Sequence, residues 1–253
     1  MDWIAGFYQK QSEWGLSSSA VRPFHRARAA RMEDALGSGP FRVLELGAGA
    51  GEVAIAMAER GHDVVAVDLV GERIAAGEGL IPADMPGRVT LHQGDFYTID
   101  IGGPFDVVCY WDGFGVGTDP DQRRLLGRIA DWIGAQGHAL IDIYTPWYAA
   151  ASAGHGHTFE SAAREYGFDA AGCRWLDSWW ARDAPEDRVT QSLRCYSPAD
   201  LRLLLEGTGL VLIDTIAGGG TDWSDGSWAD ERPLGIAMSY QAHLRSESAP
   251  SVG

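Results

Sequence analysis

Between positions 41 and 144 the apolar residues gather into short, nearly continuous runs: "FRVLEL", "HDVVAVD", "RVTLHQ", "FDVVCYW" and "HALIDIY". Runs rich in Val, Ile and Leu suit strands that are covered on both faces. The stretches between them have a different period. Gly51 to Arg60 and Asp119 to Ala135 carry apolar positions at helical spacing, and the glycine-rich stretch from Glu72 to Glu78 reads as a shorter helix. Strands alternating with helices predict an α/β fold, a mostly parallel sheet flanked by helices.

The flanks extend this pattern. Ahead of the first strand, "RPFHRARAARMEDAL" has Pro23 near a helix start and Gly37 just past its end, so a helix is expected to dock over that strand. After the fifth run the chain becomes aromatic and glycine-dotted. The β-like runs "CRWLDSWW" and "RVTQSLRCY", joined by "ARDAPED", then predict a hairpin inserted into the fold. "SPADLRLLLEGTG" reads as a helix with Ser197 as N-cap, Pro198 at its first position and Asp200 closing a capping box. "LVLIDTIAG" and "PLGIAMSYQAHL" supply two closing strands, which brings the sheet to seven. The expected organisation is one domain over residues 1–244: a helical cap (1–40), a core (41–144), a lid insertion (145–196) and a closing helix and strands (197–244). A loose tail (245–253) follows.

Charge narrows the partners. A formal net charge of -15 in 253 residues opposes binding to phosphate backbones and disfavours nucleic acid as a substrate. No run reaches the length of a membrane span, and "MDWIAGFYQK" lacks the basic start and long apolar stretch of a signal peptide. Cys109, Cys173 and Cys195 are odd in number and widely spaced, which points to a reducing, cytoplasmic setting and away from a cysteine-rich metal site.

The most informative stretch is "VLELGAGAG", residues 43–51, an apolar strand running into glycines. Bare backbone at a strand-to-helix turn lets a polar ligand approach amide N–H groups without side-chain obstruction. A dinucleotide fingerprint would need glycine at its sixth position, where Glu52 stands, and its carboxylate would face a pyrophosphate. A nicotinamide oxidoreductase is therefore disfavoured. No Gly-Lys-Ser/Thr follows, so a nucleotide P-loop is excluded as well.

Residues 43–69, "VLELGAGAGEVAIAMAERGHDVVAVDL", resemble the first two motifs of class I S-adenosylmethionine-dependent methyltransferases. In that family an acid precedes GxGxG and a second acid ends the next strand. The resemblance implies a Rossmann-like seven-stranded sheet and S-adenosylmethionine as cofactor, bound by Glu45, Gly47, Gly49, Gly51, Asp68 and Leu69. "GDF" (94–96) matches the end of the third strand, where Asp95 would bond the adenine amino group and Phe96 would offer its backbone N–H. "YWDGFG" (110–115) places Trp111 and Asp112 beside the reactive methyl. Tyr8 or Arg28 could hold the cofactor's carboxylate.

The acceptor pocket should lie at the C-terminal ends of the strands. Candidates there are Asp112 and Phe114 after the fourth strand, Trp147 and Tyr148 after the fifth, and the early aromatics Trp3, Tyr8 and Trp14. In the late, tryptophan-rich portions Trp179 and Trp180 join them. "GHGHTF" adds His155 and His157, a possible base or substrate contact. With no Cys or acidic partner nearby, no metal is expected. His157, Asp112 and Tyr148 are the candidate catalytic groups. The fourth strand lacks the Asn-Pro-Pro-Tyr type motif of many nucleic-acid and protein-amide methyltransferases, and aromatic walls suit a flat or cationic ligand. The similarity to bacterial small-molecule enzymes implies a small acceptor in a natural-product setting, methylated on oxygen, nitrogen or carbon, and the tryptophan-rich lid favours an aromatic or indole-like one. The alternative is a non-catalytic protein that binds the cofactor for regulation or assembly.

Overall fold

In a computed structural model, residues 3–16 and 20–247 are described. The elements in chain order are α1 (Trp3–Glu13), α2 (Pro23–Leu36), β1 (Arg42–Leu46), α3 (Glu52–Ala58), β2 (Asp63–Asp68), α4 (Gly71–Glu78), β3 (Arg88–Gln93), β4 (Phe105–Tyr110) and α5 (Asp119–Trp132). They continue as β5 (Ile133–Tyr144), α6 (Pro146–Ser152), β6 (Gly156–Thr158), β7 (Ala162–Asp169), β8 (Arg174–Ala181), β9 (Ala184–Arg194) and α7 (Pro198–Leu205). The chain closes with β10 (Leu210–Ala217), β11 (Gly220–Thr221), β12 (Trp228–Ala229), a 3-10 turn (Leu234–Ile236) and β13 (Ser239–Ser246).

The seven-stranded sheet has the order β10-β13-β5-β4-β1-β2-β3. The pairs from β5 to β3 are parallel, whereas β13 runs antiparallel between β5 and β10. Alternate residues feed opposite faces. Leu44, Leu46, Val108, Tyr110, Ile141 and Ile143 pack under α5 and α7, while Val43, Val64, Ala66, Val107, Cys109 and Leu140 pack under α2 and α3. Burial on both sides explains why these strands carry so few polar positions. Helix α2 docks over β1 and β4 through Ala29 and Met32, beside α3.

The caps form as the local chemistry requires. Ser197 Oγ accepts the Asp200 N–H at 3.1 Å and Asp200 accepts the Ser197 N–H at 2.9 Å, a reciprocal pair that satisfies two donors at the start of α7. Thr118 and Asp121 do the same for α5.

Two expectations are refined. The expected helix through Ala135 ends at Trp132, because the chain enters β5 at Ile133 and pairs with Phe105. The inserted hairpin is a four-stranded antiparallel sheet, β6-β7-β8-β9, in which β7 precedes the two strands read from sequence. β7, "AAREYGFD", carries small and charged residues that mask its period. This second sheet is tied to the loop after β4: Arg174 donates to the carbonyls of Gly117 (2.9 Å) and Gly115 (3.3 Å), and the Arg194 N–H donates to Gly115 (2.9 Å). Among the described residues no helix is long and apolar enough to cross a membrane.

Candidate active site

The parallel strands end at one edge, and their C-terminal loops enclose a cleft of about 650 Å³. Its floor is the turn after β1. Gly47 and Gly49 both sit in the left-handed region, at φ 61° and 64°. A Cβ on Gly47 would stand 3.1 Å from the Tyr110 ring, and one on Gly49 would meet the Arg73 guanidinium at 2.8 Å. Only glycine fits here without strain. Gly51, also left-handed, caps α3, where its missing Cβ faces Leu91 and not the cleft.

Asp68, buried at the end of β2, braces this turn: Oδ2 accepts the Gly49 N–H at 2.8 Å and Oδ1 accepts the Val70 N–H at 2.9 Å. Each oxygen keeps a lone pair for a ligand hydroxyl. Beside it Leu69 is 41% exposed and lines the cleft, as does Phe96. Asp95 lines the same end and accepts the Tyr97 N–H at 2.8 Å. Glu45 lies at the other end, 2% exposed, with Oε2 lacking a hydrogen-bond partner among the described residues. Burial pushes its carboxyl up to about 8, against the pull of Arg28. An orphaned carboxylate oxygen, a glycine cradle and an acid free to accept from hydroxyls form a donor and acceptor set that fits a positively charged nucleoside.

A second cavity of about 330 Å³ opens behind the first, and Tyr8, Gln11, Arg28 and Asp112 line both. Arg28 reaches in from α2, 3.5 Å from Asp142 of β5 and 5.6 Å above the Trp111 ring. Asp112 follows β4 with φ 57°, a left-handed residue other than glycine, which asparagine and aspartate tolerate best. Its carboxylate accepts the Tyr144 hydroxyl. Asp112 is exposed toward the cavities but enclosed elsewhere, and that burial raises its carboxyl above the usual range, with Arg28 opposing. The far wall comes from the second sheet. Trp175 stacks on Tyr166 at 5.0 Å and meets Tyr144 edge-on at 4.7 Å, and Trp179 stands alongside. Gln191 donates to the Tyr8 hydroxyl at 2.9 Å, which ties α1 to β9.

Several candidates from the sequence stand elsewhere among the described residues. Phe114 is fully buried against Tyr110 and Tyr196. Tyr148 is buried with its hydroxyl accepting the Thr221 N–H at 3.1 Å, and Trp147 packs in the same cluster. His155 lies 4.7 Å from Trp223 in a stack, and His157 is exposed on β6. Trp180 carries Arg188 over its ring at 4.4 Å, and Trp14 packs with Phe7 and Trp179. The Trp3 side chain lies outside the described ones. Sequence reasoning passed over Asp142, Tyr144, Arg164, Tyr166, Trp175 and Asp177. One signal was available: Asp142 is the single carboxylate inside the apolar run "HALIDIY", as Asp177 is in "WLDSWW".

Residues 16–215 match the family model described as a methyltransferase domain. The magnesium-protoporphyrin O-methyltransferase of Rhodobacter capsulatus is 33% identical over 100 residues, which is 40% of this chain and spans 42% of that relative's length. Among solved structures, the CcbJ methyltransferase of Streptomyces caelestis superposes with a TM-score of 0.68 at 19% identity over 98% of this chain and 97% of its own. CalS10, an amino pentose methyltransferase from Micromonospora echinaspora solved with S-adenosylmethionine bound, gives 0.61 at 19% identity over 95% and 97%. The chain belongs to the methyltransferase-domain family, with the class I fold whose cofactor is S-adenosylmethionine.

Proposed function

We propose that this protein methylates a small organic molecule held in the 330 Å³ cavity, with S-adenosylmethionine in the larger cleft. The observation that carries this reading is the shared wall: the two spaces meet at Tyr8, Gln11, Arg28 and Asp112. Bound in the cleft, the cofactor supplies an electrophilic methyl group on a sulfonium. Asp68 would receive the ribose hydroxyls, Leu69, Phe96 and Asp95 would hold the adenine, and Glu45 and Arg28 would take the charged methionine end.

The protein's part in the reaction is alignment. Orientation of two reactants contributes up to roughly 7 to 11 kcal/mol to such transfers, so no covalent nucleophile is required. Trp175, Tyr166 and Trp179 hold the flat or apolar part of the acceptor, and Asp112 with Tyr144 positions the polar end toward the cleft. An aromatic acceptor of small-molecule biosynthesis suits these walls, and three unpaired thiols fit a cytoplasmic setting. The whole chain to 244 acts as one unit, with 145–196 as the lid.

Calorimetry with S-adenosylhomocysteine tests the base of the proposal. Wild type should bind, and Asp68→Ala should bind about tenfold or more weakly through loss of a ribose acceptor and a loop brace. Equal binding by both rejects the cofactor geometry. Tight binding with no methyl transfer to any phenol, amine or indole would favour a regulatory binding protein.

A further inference from the structure

Building on the methyl-transfer reading, we infer that the acceptor is a small amine, bound as a cation between Asp112 and the rings of Tyr166, Trp175 and Trp179. The cavity's charge is the first observation. Three carboxylates, Asp112, Asp142 and Asp177, line it against two guanidiniums, Arg28 and Arg164, which leaves one negative charge unmatched.

The pairing shows which one. Arg164 donates from Nε to Asp177 Oδ1 at 3.1 Å and from Nη2 to Oδ2 at 2.5 Å, while its plane lies 4.4 Å from the Tyr166 ring and 4.5 Å from that of Trp179. A fork engaged on both prongs and covered by rings is wall, not a receptor for an anion. Arg28 stands 3.5 Å from Asp142. Asp112 accepts from the neutral Tyr144 hydroxyl, and no arginine among the described residues bonds it directly. It sits at φ 57° and lines both cavities.

The walls suit the carbon skeleton of such a ligand: Tyr166, Trp175 and Trp179 line the cavity with apolar ring surface, while Arg164 occupies a face of Tyr166 and of Trp179, so the ammonium's counter-charge is Asp112. An anionic acceptor would face Asp112 at close range, and a neutral one would leave its negative charge without a counter-charge in the cavity.

The amine enters protonated, since alkylammonium groups lose their proton near pH ~10. One N–H proton passes to water in the open cleft, and Asp112 retains a hydrogen bond from a remaining N–H. The freed lone pair then forms the nitrogen–carbon bond as the methyl–sulfur bond breaks. The electron pair of the broken bond stays on sulfur, which becomes a neutral thioether, and the positive charge moves to the methylated nitrogen.

Trp175 and Trp179 line the cavity, so their fluorescence reports its occupation. Protein saturated with S-adenosylhomocysteine is titrated near pH ~7 with 2-phenylethylamine, 2-phenylethanol and phenylacetate, and with cyclohexylamine and cyclohexanol. Each amine should bind about tenfold or more tightly than its alcohol, and the acid most weakly. Asp112→Asn should bring the amine-to-alcohol ratio toward one, and Asp112→Glu should keep it above one. Alcohol or acid binding as tightly as the amine, no binding by any probe, or an unchanged ratio in Asp112→Asn overturns the inference; the last result would match Asp112 to the sulfonium instead. If Asp112→Asn fails to fold, the wild-type ratio decides alone. Failure of wild type to bind S-adenosylhomocysteine in a separate calorimetric titration would reject the methyl-transfer reading itself, whereas cofactor binding without amine preference rejects only the amine.

Discussion

The larger cleft and the inner cavity share a wall, yet they are made of different materials. The cleft is floored by backbone: the turn at 47–49, braced by Asp68, with further strand ends around it. A parallel sheet brings every such strand end to one edge, so residues distant in sequence meet there by topology alone. The inner cavity is made of side chains drawn from α1, α2, the loop after β4, β5, β7, β8, β9 and the start of β13, from Phe7 to Ser239. The contrast teaches that a site built on backbone conformation leaves a compact motif in the sequence, while a site built on ring faces and ion pairs leaves scattered residues.

The contrast can be broken most forcefully at Arg164. Arg164→Ala leaves Asp177 buried without its partner and should destabilise the fold by about 3 to 5 kcal/mol in urea unfolding. S-adenosylhomocysteine affinity in the folded variant should change by less than about threefold, because Arg164 touches the acceptor side alone. A large loss of cofactor affinity would show that the two spaces are one coupled unit.

The complementary variant acts on the backbone side. Gly49→Val forces a branched residue into a left-handed position and against the Arg73 guanidinium. S-adenosylhomocysteine affinity should fall about thirtyfold, the equivalent of roughly 2 kcal/mol of strain. Full affinity in calorimetry would mean that this turn tolerates a side chain and is not the cradle described.

A smaller effect sharpens the electrostatic side. Burial raises Glu45 to about 8, so the folded chain holds a proton that the unfolded chain gives up near 4.5. Between those values the unfolded state binds fewer protons, and the stability contributed by this group falls as pH rises, levelling off above the folded value. Glu45→Gln removes that slope. Its stability relative to wild type should therefore be greater near pH ~8.5 than near pH ~5, read from urea midpoints. An equal difference at both pH values would contradict a protonated Glu45.

The smallest change is expected at His157. An exposed imidazole on β6, outside the cavity lining, contributes little, and His157→Ala should leave turnover within about twofold. A large drop in turnover would bring the β6 loop into the reaction.

How far the sequence reading reached follows the same division. "VLELGAGAG" and Asp68 stood out because glycine in the left-handed region and an acid at a strand end are local requirements. Even there Gly51 lies against Leu91, a packing role that spacing cannot distinguish from ligand contact. Among the aromatics, composition signalled abundance but not direction. Trp179 faces the cavity while its neighbour Trp180 does not, as strand alternation requires once the register of β8 is known. Phe114, Trp147 and Tyr148 follow the correct strands, but side-chain packing turns them into the interior. Asp142 and Tyr144 share one face of β5, and their place beside Asp112 depends on the β4–β5 pairing, which no local pattern encodes.

The amino-acid order by itself determined the alternation of buried strands and helices, the caps of α5 and α7, and the bare turn after β1, because each depends on side chains a few residues apart. Tertiary structure alone decided the second sheet's seat on the loop at 115–117, the meeting of α1 with β9 at Tyr8 and Gln191, and the charge of the inner cavity. The first two arise from contacts between segments more than fifty residues apart, and the third from side chains gathered from Phe7 to Ser239. Hydrophobic periodicity constrains which face of an element is buried but not which partner covers it.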